Sequence, residues 1–270
     1  MKFIKNVIYA SVFFYVCMIA YYFGMQRSFL YFPEKPYASL EELEIEDTFK
    51  EISYKTEDNI DLKGWYAPAT KKSLTIIYFH GNADSLKSVY PIALPYIQEG
   101  YGFFIVEYRG YSGFSGKPTE NGLYADGRAA VMKLFDLNVD ISTIIPMGHS
   151  LGTGVATQMA VEYSLPSLIL VAPFRSIVDV AQERYPYFPT SLLVLDRYDN
   201  EQKMKRLIGS VIILHGDTDA VIPYQQGQRL FDRSNDPKEF HLIAGRGHND
   251  LFDDALPLVL SWLEKIVETH

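Results

Sequence analysis

The 270-residue chain is 48% hydrophobic and 21% charged, a composition typical of a globular protein with ample core. Its formal net charge is −8; residues 1–27 hold three basic residues and no acidic ones, so the remainder stands at −8 − 3, about −11. An acidic body argues against binding to nucleic acid or to anionic lipid, and the single cysteine, Cys17, excludes a disulfide framework and a thiolate metal site.

The N-terminus carries an apolar segment long enough to cross a bilayer. Between Lys5 and Arg27 about 20 residues are uncharged, and their apolar side chains occupy every face of a helix. The aromatic residues Tyr21–Phe23 near its end are typical of a membrane interface. The alternative is a cleaved signal peptide, but such peptides have a shorter apolar region that ends in small residues. We therefore predict an uncleaved anchor over residues 1–27 and one domain over residues 28–270.

The charges that flank the anchor predict its orientation. Lys2, Lys5 and the N-terminal amine outnumber the single Arg27 at the other end. Since basic flanks stay in the cytoplasm, the domain is expected on the non-cytoplasmic face of a single-pass membrane protein.

The first part of the domain predicts a hairpin. Residues 27–33 form an aromatic linker, and the acidic residues 41–47 are interpreted as a solvated surface. Apolar and polar residues then alternate from 48 to 67, interrupted by turn residues at 57–59. This pattern is typical of two antiparallel strands.

The middle and end of the chain alternate between apolar runs and helical patterns. Because the runs are almost continuously apolar, they predict strands covered by helices on both faces. We expect an α/β fold with a mostly parallel, doubly wound sheet. The predicted strands occupy residues 73–80, 103–108, 167–172, 211–215 and 239–243, with a strand, turn and helix over 143–163. The other predicted helices occupy residues 86–98, 123–137, 225–231 and 251–267.

Residues 174–207 interrupt this alternation. They contain the aromatic run 185–189 and the apolar run 192–195, and they follow a strand where an insertion would cover the carboxyl ends of the sheet. We predict a small helical lid with an apolar inner face. The alternative is that the apolar side chains only pack residues 174–207 (the excursion) onto the domain.

A G-x-S-x-G pattern spans Gly148–Gly152, between a predicted strand and a predicted helix. A sharp turn there strains the backbone of Ser150 and lifts its hydroxyl clear of the sheet. The following helix supplies unpaired N–H groups and a positive dipole end beside this hydroxyl. The alternative is a glycine-rich connection with an incidental serine. The motifs in the rest of the chain distinguish the two interpretations.

Several glycine-rich motifs follow the predicted strands. Together with the exit sequence 29–33 and the excursion run 184–199, they resemble the α/β-hydrolase superfamily. More narrowly, the chain is similar to its membrane-anchored Bem46-like branch, often grouped with serine aminopeptidase S33-type hydrolases. The resemblance covers essentially the whole chain and implies an α/β-hydrolase fold; Glu107 and Arg246 depart from the usual residues at their positions. The motifs are His80–Ala83, Tyr108–Pro118, Gly148–Gly152, His215–Pro223 and Gly245–Asp250.

The resemblance implies a catalytic triad in the chain order nucleophile, acid, base. Ser150 is the expected nucleophile, and His248, alone in a glycine-flanked loop after the last strand, the expected base. The alternative for His248 is a helix-start residue. The family's spacing assigns the acid to Asp219 and leaves Asp217 as a turn residue. The other histidines are expected to be structural, turned aside, packed or terminal: His80, His149, His215, His241 and His270.

An oxyanion hole is expected from two backbone N–H groups. Leu151 supplies one, and Asn82 supplies the other, with Ala83 as the alternative; the Asn82 side chain alternatively braces its loop. The glycine-rich loop 109–116 lacks the P-loop and dinucleotide patterns, so nucleotide binding is discounted.

These expectations predict a membrane-anchored serine hydrolase that cleaves an ester, a thioester or an amide without cofactor or metal. A small molecule, a lipid or an acylated protein would be the substrate, and the bilayer would be a partner through the anchor. The alternative is a non-catalytic binding or scaffold protein with the same fold, which would not need all three triad residues.

Overall fold

The computed structural model describes residues 1–34 and 36–269, and within them eight strands form one sheet. The strand order is β1-β2-β4-β3-β5-β6-β7-β8; β2 runs antiparallel to β1 and β4, and the other pairs are parallel. The mostly parallel α/β sheet is therefore confirmed. The strands are Lys50–Lys55 (β1), Asp61–Ala67 (β2), Thr75–Phe79 (β3), Gly102–Val106 (β4), Ile144–His149 (β5), Ser167–Val171 (β6), Ser210–Gly216 (β7) and Lys238–Ile243 (β8).

Helices cover both faces of this sheet and also form the N-terminal segment. The helices are Lys2–Leu30 (α1), Leu86–Gln98 (α2), Glu120–Asp136 (α3), Gly152–Glu162 (α4), Ile177–Arg184 (α5), Thr190–Leu193 (α6), Asn200–Met204 (α7), Tyr224–Arg233 (α8) and Phe252–Thr269 (α9). His270, the end of the predicted domain, lies outside the described residues.

The central strands are buried along their whole length, as expected for a parallel sheet between two helical layers. Alternate residues of β3 serve the two cores: Ile77 and Phe79 pack with α3 and α4, while Ile76 and Tyr78 pack with α2 and α9. This period of two follows from the pleat of a strand.

Local capping accounts for the main difference in helix boundaries. The helix predicted to begin at residue 123 begins at Glu120, because the Thr119 hydroxyl accepts the N–H of Gly122 at 3.0 Å. The acidic residues 41–47 are also not simply a solvated surface. Ile45 is buried in the core beside Leu40, whereas the charged side chains around it are exposed to solvent.

The excursion at residues 174–207 holds α5, α6 and α7. Its apolar side chains divide between two surroundings: Phe174, Tyr198, Met204 and Leu207 are buried in the core, whereas those of its middle part are not. Tyr187 and Leu192 are 88% and 83% exposed, and Val180 and Phe188 face α1. The reason is that α1 packs beside the excursion and covers part of its apolar surface, which no periodicity within the excursion indicates.

Among the described residues, α1 is the one helix long and apolar enough to cross a membrane, and the rest of the protein leaves its apolar window unburied. It continues past Arg27 to Leu30, and the next residue, Tyr31, is buried in the domain core. The helix is thus joined to the domain without a free linker.

The packing of α4 against β3 depends on Gly152. A Cβ atom there would lie 1.9 Å from the carbonyl oxygen of Phe79, a backbone atom that cannot rotate away. We therefore expect Gly152→Ala to reduce the free energy of unfolding by about 3 kcal/mol or more, in the range of severe core overpacking. Gly127→Ala on α3 is the control, because its Cβ would come no closer than 3.0 Å to the side chains of Val155 and Met159. Denaturant unfolding that shows equal losses for both variants would contradict this account.

Candidate active site

Ser150 lies directly after β5 in a left-handed backbone conformation, with φ at 51°. Such a conformation is strained for a residue with a side chain and persists only when its surroundings hold it. Here the Ser150 N–H donates to the Val171 carbonyl at 3.0 Å, and the Thr153 hydroxyl donates to the Ser150 carbonyl at 2.6 Å. Gly148 gives the turn its room, since a Cβ there would lie 2.5 Å from the Gly152 carbonyl oxygen.

The structure brings Ser150, His248 and Asp219 together from three loops at the carboxyl edge of the sheet. The Ser150 hydroxyl donates to His248 Nε2 at 2.9 Å, and His248 Nδ1 donates to Asp219 Oδ2 at 2.7 Å. The side chains of His248 and Asp219 are almost fully withdrawn from solvent. A hydroxyl, an imidazole and a carboxylate in this order can move a proton from the serine to the histidine.

The Asp219 carboxylate is held by several donors. Oδ1 accepts the N–H groups of Val221 and Ile222, both at 2.8 Å, and Oδ2 lies 3.3 Å from His215 Nε2. Burial opposes the charge, but hydrogen bonds from His215 and His248 outweigh it and hold the pKa of this carboxyl well below its usual range. The carboxylate therefore stays ionised and fixed in direction.

The sequence predicts only a structural role for His215, but in the structure this residue is part of the site. Its Nε2 lies 2.9 Å from the Ile222 carbonyl oxygen, which only accepts, so this nitrogen carries a proton and donates to Ile222 while it lies next to Asp219. The signal was present in the sequence as the His-Gly pair that ends β7, but its meaning depends on a loop that folds back toward it.

The sequence predicts that the His149 side chain is turned aside, but in the structure it lies against His248. Its ring centroid lies 5.1 Å from that of His248, and its Nε2 donates to the His248 backbone carbonyl at 3.0 Å. Asp84 lies 3.8 Å from its Nδ1. Burial raises the pKa of Asp84, but contacts with His149 and the Gly81 N–H outweigh it and lower that pKa to about 2. His149 therefore buttresses the loop that carries His248.

Asp217 occupies a turn and contacts the neighbouring loop. It accepts the N–H of Gly245 at 2.7 Å and so ties the loop after β7 to the loop after β8. It has no contact with His248 in the described chain, so the structure brings Asp219, and not Asp217, to the histidine.

The N–H groups expected to form an oxyanion hole are free. In the described chain the backbone N–H groups of Asn82, Ala83 and Leu151 have no acceptor. The loop that carries Asn82 lies beside Ser150, because a Cβ on Gly81 would stand 3.6 Å from the Ser150 Cβ. Unpaired N–H groups next to a hydroxyl can receive a developing negative charge.

The Asn82 side chain braces the loop. Its Nδ2 donates to the Leu30 carbonyl at 2.8 Å, at the end of α1. Its backbone carbonyl accepts the Phe32 N–H at 3.1 Å and the Tyr111 hydroxyl at 2.9 Å. The residues that leave α1 are therefore bonded directly to the loop beside Ser150.

Glu107 holds the loop that carries Asn82 in place. Its fully buried carboxylate accepts from His80 Nε2 at 2.8 Å, from the Ser112 hydroxyl at 2.6 Å and from the N–H of Leu86 at 3.3 Å. Burial opposes a charge on His80, but Glu107 outweighs it and raises the His80 pKa. Two loops and the start of α2 are thereby joined at one point.

The glycine-rich loop 109–116 is bonded through Arg109 to two carboxylates outside the loop. The Arg109 guanidinium donates to Asp126 Oδ1 at 2.8 Å and to Asp58 Oδ2 at 2.6 Å. The described residues contain no group of three or more His, Cys, Asp or Glu side chains arranged to hold a metal ion.

Comparison with known proteins identifies what this arrangement is similar to. Residues 75–210 match the family described as alpha/beta hydrolase fold. An uncharacterised protein of Mycobacterium tuberculosis is 31% identical over 239 residues, covering 86% of this chain and 84% of that protein. Human alpha/beta hydrolase domain-containing protein 17B is 34% identical over 184 residues, 66% of this chain and 61% of that protein. The structure of a Pyrococcus furiosus esterase superimposes with a TM-score of 0.69 at 18% identity, covering 89% of this chain and 99% of the esterase.

The low pKa of Asp219 predicts a pH-dependent contribution to stability. A carboxyl whose folded-state pKa lies below its unfolded value of about 3.8 stabilises the fold above that value and loses this contribution as pH falls. Asp219→Asn also turns an amide N–H toward two histidine donors. We expect the difference in unfolding free energy between wild type and Asp219→Asn to shrink as pH falls from about 5 to about 3.

Thermal or denaturant unfolding across this pH range measures the effect. Asp217→Asn is the control, because it changes an exposed carboxyl on the same loop that touches no histidine, and it should show a smaller difference. A wild type to Asp219→Asn difference that is constant with pH would contradict the role of the ionised carboxylate.

Proposed function

The chain belongs to the α/β-hydrolase superfamily, and we propose that it is a serine hydrolase that cleaves esters or thioesters through an acyl-enzyme on Ser150. The observation that carries this proposal is the continuous hydrogen-bond path from the Ser150 hydroxyl through His248 to Asp219. The resemblance to an esterase structure and to the hydrolase-domain relatives supports the same reaction class. Amides are a further substrate class open to the same mechanism.

The proposed first half-reaction forms the acyl-enzyme. Ser150 Oγ attacks the acyl carbon as its proton passes to His248 Nε2, and the carbonyl oxygen becomes an oxyanion. The N–H groups of Leu151 and Asn82 stabilise that oxyanion. When it collapses, the bond to the leaving group breaks and His248 gives its proton to the leaving alcohol or thiol. Asp219 holds the tautomer of His248 and stabilises its transient positive charge.

The second half-reaction repeats the sequence with water. His248 removes a proton from water as it attacks the acyl carbon, and the acid product leaves when Ser150 Oγ regains that proton. No electron transfer and no cofactor enters either step, and the protein ends in its starting protonation state.

We further propose that α1 anchors the enzyme in a membrane as a single span. Its apolar length and its exposed window support this location. The two lysines before the apolar stretch favour a cytoplasmic N-terminus and a non-cytoplasmic catalytic domain. Substrate would then be a small molecule, a lipid or an acylated protein next to the bilayer.

Labelling with a fluorophosphonate probe tests the nucleophile. Wild type should be labelled on Ser150, and Ser150→Ala should lose the label because no other activated hydroxyl is expected. His248→Ala should fold normally but lower kcat for an activated ester by roughly 10⁴-fold or more. Unlabelled wild type would support the non-catalytic binding module, and equal labelling of Ser150→Ala would exclude Ser150 as the nucleophile.

Cysteine accessibility tests the orientation. Cys17 lies within the apolar stretch and is replaced by serine to give a cysteine-free background. A cysteine at Ile208, an exposed position on the domain, should react with a membrane-impermeant maleimide in intact spheroplasts. A cysteine at Lys2 should react only after permeabilisation. The reverse pattern would place the catalytic domain in the cytoplasm.

A further inference from the structure

The excursion and α1 meet far along the apolar stretch. The Tyr15 hydroxyl donates to the Tyr187 carbonyl at 2.7 Å, and the Tyr15 ring stacks on Phe188 with centroids 6.0 Å apart. Tyr15 and Gln26 stand 11 residues apart, which is about 16 Å along a helix axis. Because the hydrocarbon core of a bilayer is about 30 Å thick, a boundary at Arg27 places Tyr15 near its middle. The tip of the excursion at residues 185–195 (the lid tip) then lies within one leaflet.

The lid tip is adapted to such a location. Backbone groups in hydrocarbon must find partners within the protein, because no water is present there. Gln26 supplies two of them: its side chain donates to the Leu193 carbonyl at 3.2 Å and accepts the Leu195 N–H at 2.9 Å. Tyr15 pairs the Tyr187 carbonyl in the same way. The lid tip carries no charged residue, and its exposed side chains are apolar or aromatic except for Ser191: Tyr185, Pro186, Tyr187, Pro189, Leu192 and Leu195.

An ion pair marks the upper limit of this contact. Arg27 Nε donates to Asp196 Oδ2 at 2.8 Å, and Asp196 Oδ1 accepts the N–H of Glu120 at 3.1 Å from the start of α3. Asp196 is buried, whereas the Arg27 side chain is half exposed. The charged pair therefore joins α1, the excursion and the domain at the level where the apolar stretch ends.

A cavity of about 260 Å³ lies between α1 and the excursion, and Arg27 and Asp196 form part of its wall. Apolar and aromatic side chains from both elements make up most of its walls, and Gln26, Arg184 and Thr190 complete the lining. The principal wall residues are Tyr22, Phe29, Leu30, Val180, Ala181 and Phe188. Such a site suits a flexible hydrocarbon chain, which needs apolar walls and no specific polar partner.

We propose that this cavity binds the fatty acyl chain of a bilayer lipid, which reaches it sideways from the leaflet between α1 and the lid tip. Leu30, a wall of the cavity, is also the residue whose carbonyl accepts the Asn82 side chain beside Ser150. The cavity is therefore connected through Leu30 to the loop that lies beside Ser150. The inference rests on the proposed membrane span of α1 but not on the proposed hydrolysis.

Photocrosslinking in membranes tests the site without catalysis. Full-length Ser150→Ala is reconstituted into phosphatidylcholine vesicles doped with phosphatidylcholine that carries a diazirine on one acyl chain. After irradiation, peptide mass spectrometry should find adducts on cavity residues such as Leu30 and Val180. Adding Ala181→Trp, which fills the cavity, should lower the yield of these adducts about tenfold, equivalent to about 1.4 kcal/mol of binding.

Met132→Trp is the matched control, since it places the same side chain on a half-exposed site of α3 away from α1. It should leave the adduct map unchanged. Adducts confined to outward positions of α1 such as Tyr9 and Phe13, or equal yields for both tryptophan variants, would overturn the proposal. If Ala181→Trp does not fold, the positions of the adducts on Ser150→Ala still test the proposal. A wild type that fails to hydrolyse esters leaves this result untouched, so the two proposals fail separately.

Discussion

The left-handed turn at Ser150 is the constraint on which the site depends. Its strain is tolerable only because α4 approaches β3 to a distance that Gly152 alone permits, and because Val171 and Thr153 hold the Ser150 backbone on both sides. The turn points the hydroxyl at the edge of the sheet where the other strands also end. The loops after β3, β7 and β8 must then reach the same point, and buried hydrogen bonds keep them there.

Three histidines other than His248 supply much of that rigidity. His80 fixes the loop beside Ser150 through Glu107, His215 holds the loop of Asp219 through the Ile222 carbonyl, and His149 supports the backbone of His248. An imidazole suits these positions because it can donate or accept at two separated atoms while packing as a flat ring. The end of α1 is also bonded to this region, since the Asn82 side chain donates to the carbonyl of Leu30. Helix α1, the excursion and the loop beside Ser150 form one connected structure.

Local patterns in the sequence predict the strands, most helices and the G-x-S-x-G turn, because these depend on residues close together in the chain. The helix over residues 86–98 has the predicted bounds, and β3 to β8 fall within one or two residues of theirs. The directions of the excursion's side chains were not predictable, because Val180 and Phe188 face α1, over 150 residues away in sequence. The supporting roles of His149 and His215 were missed for the same reason. Each depends on a loop that returns from a distant part of the chain, whereas Ser150 and His248 carry a glycine signature of their own.

The central claim is that Ser150 becomes acylated during turnover, and trapping that intermediate tests it most directly. Rapid mixing of the full-length protein with a long-chain p-nitrophenyl ester, followed by acid quench and mass spectrometry, reports any covalent acyl group. The account predicts one acyl group on the peptide that contains Ser150, formed together with a burst of p-nitrophenol equal to the enzyme concentration. An acyl group on another residue, or steady product release with no acylated protein and no burst, would contradict it.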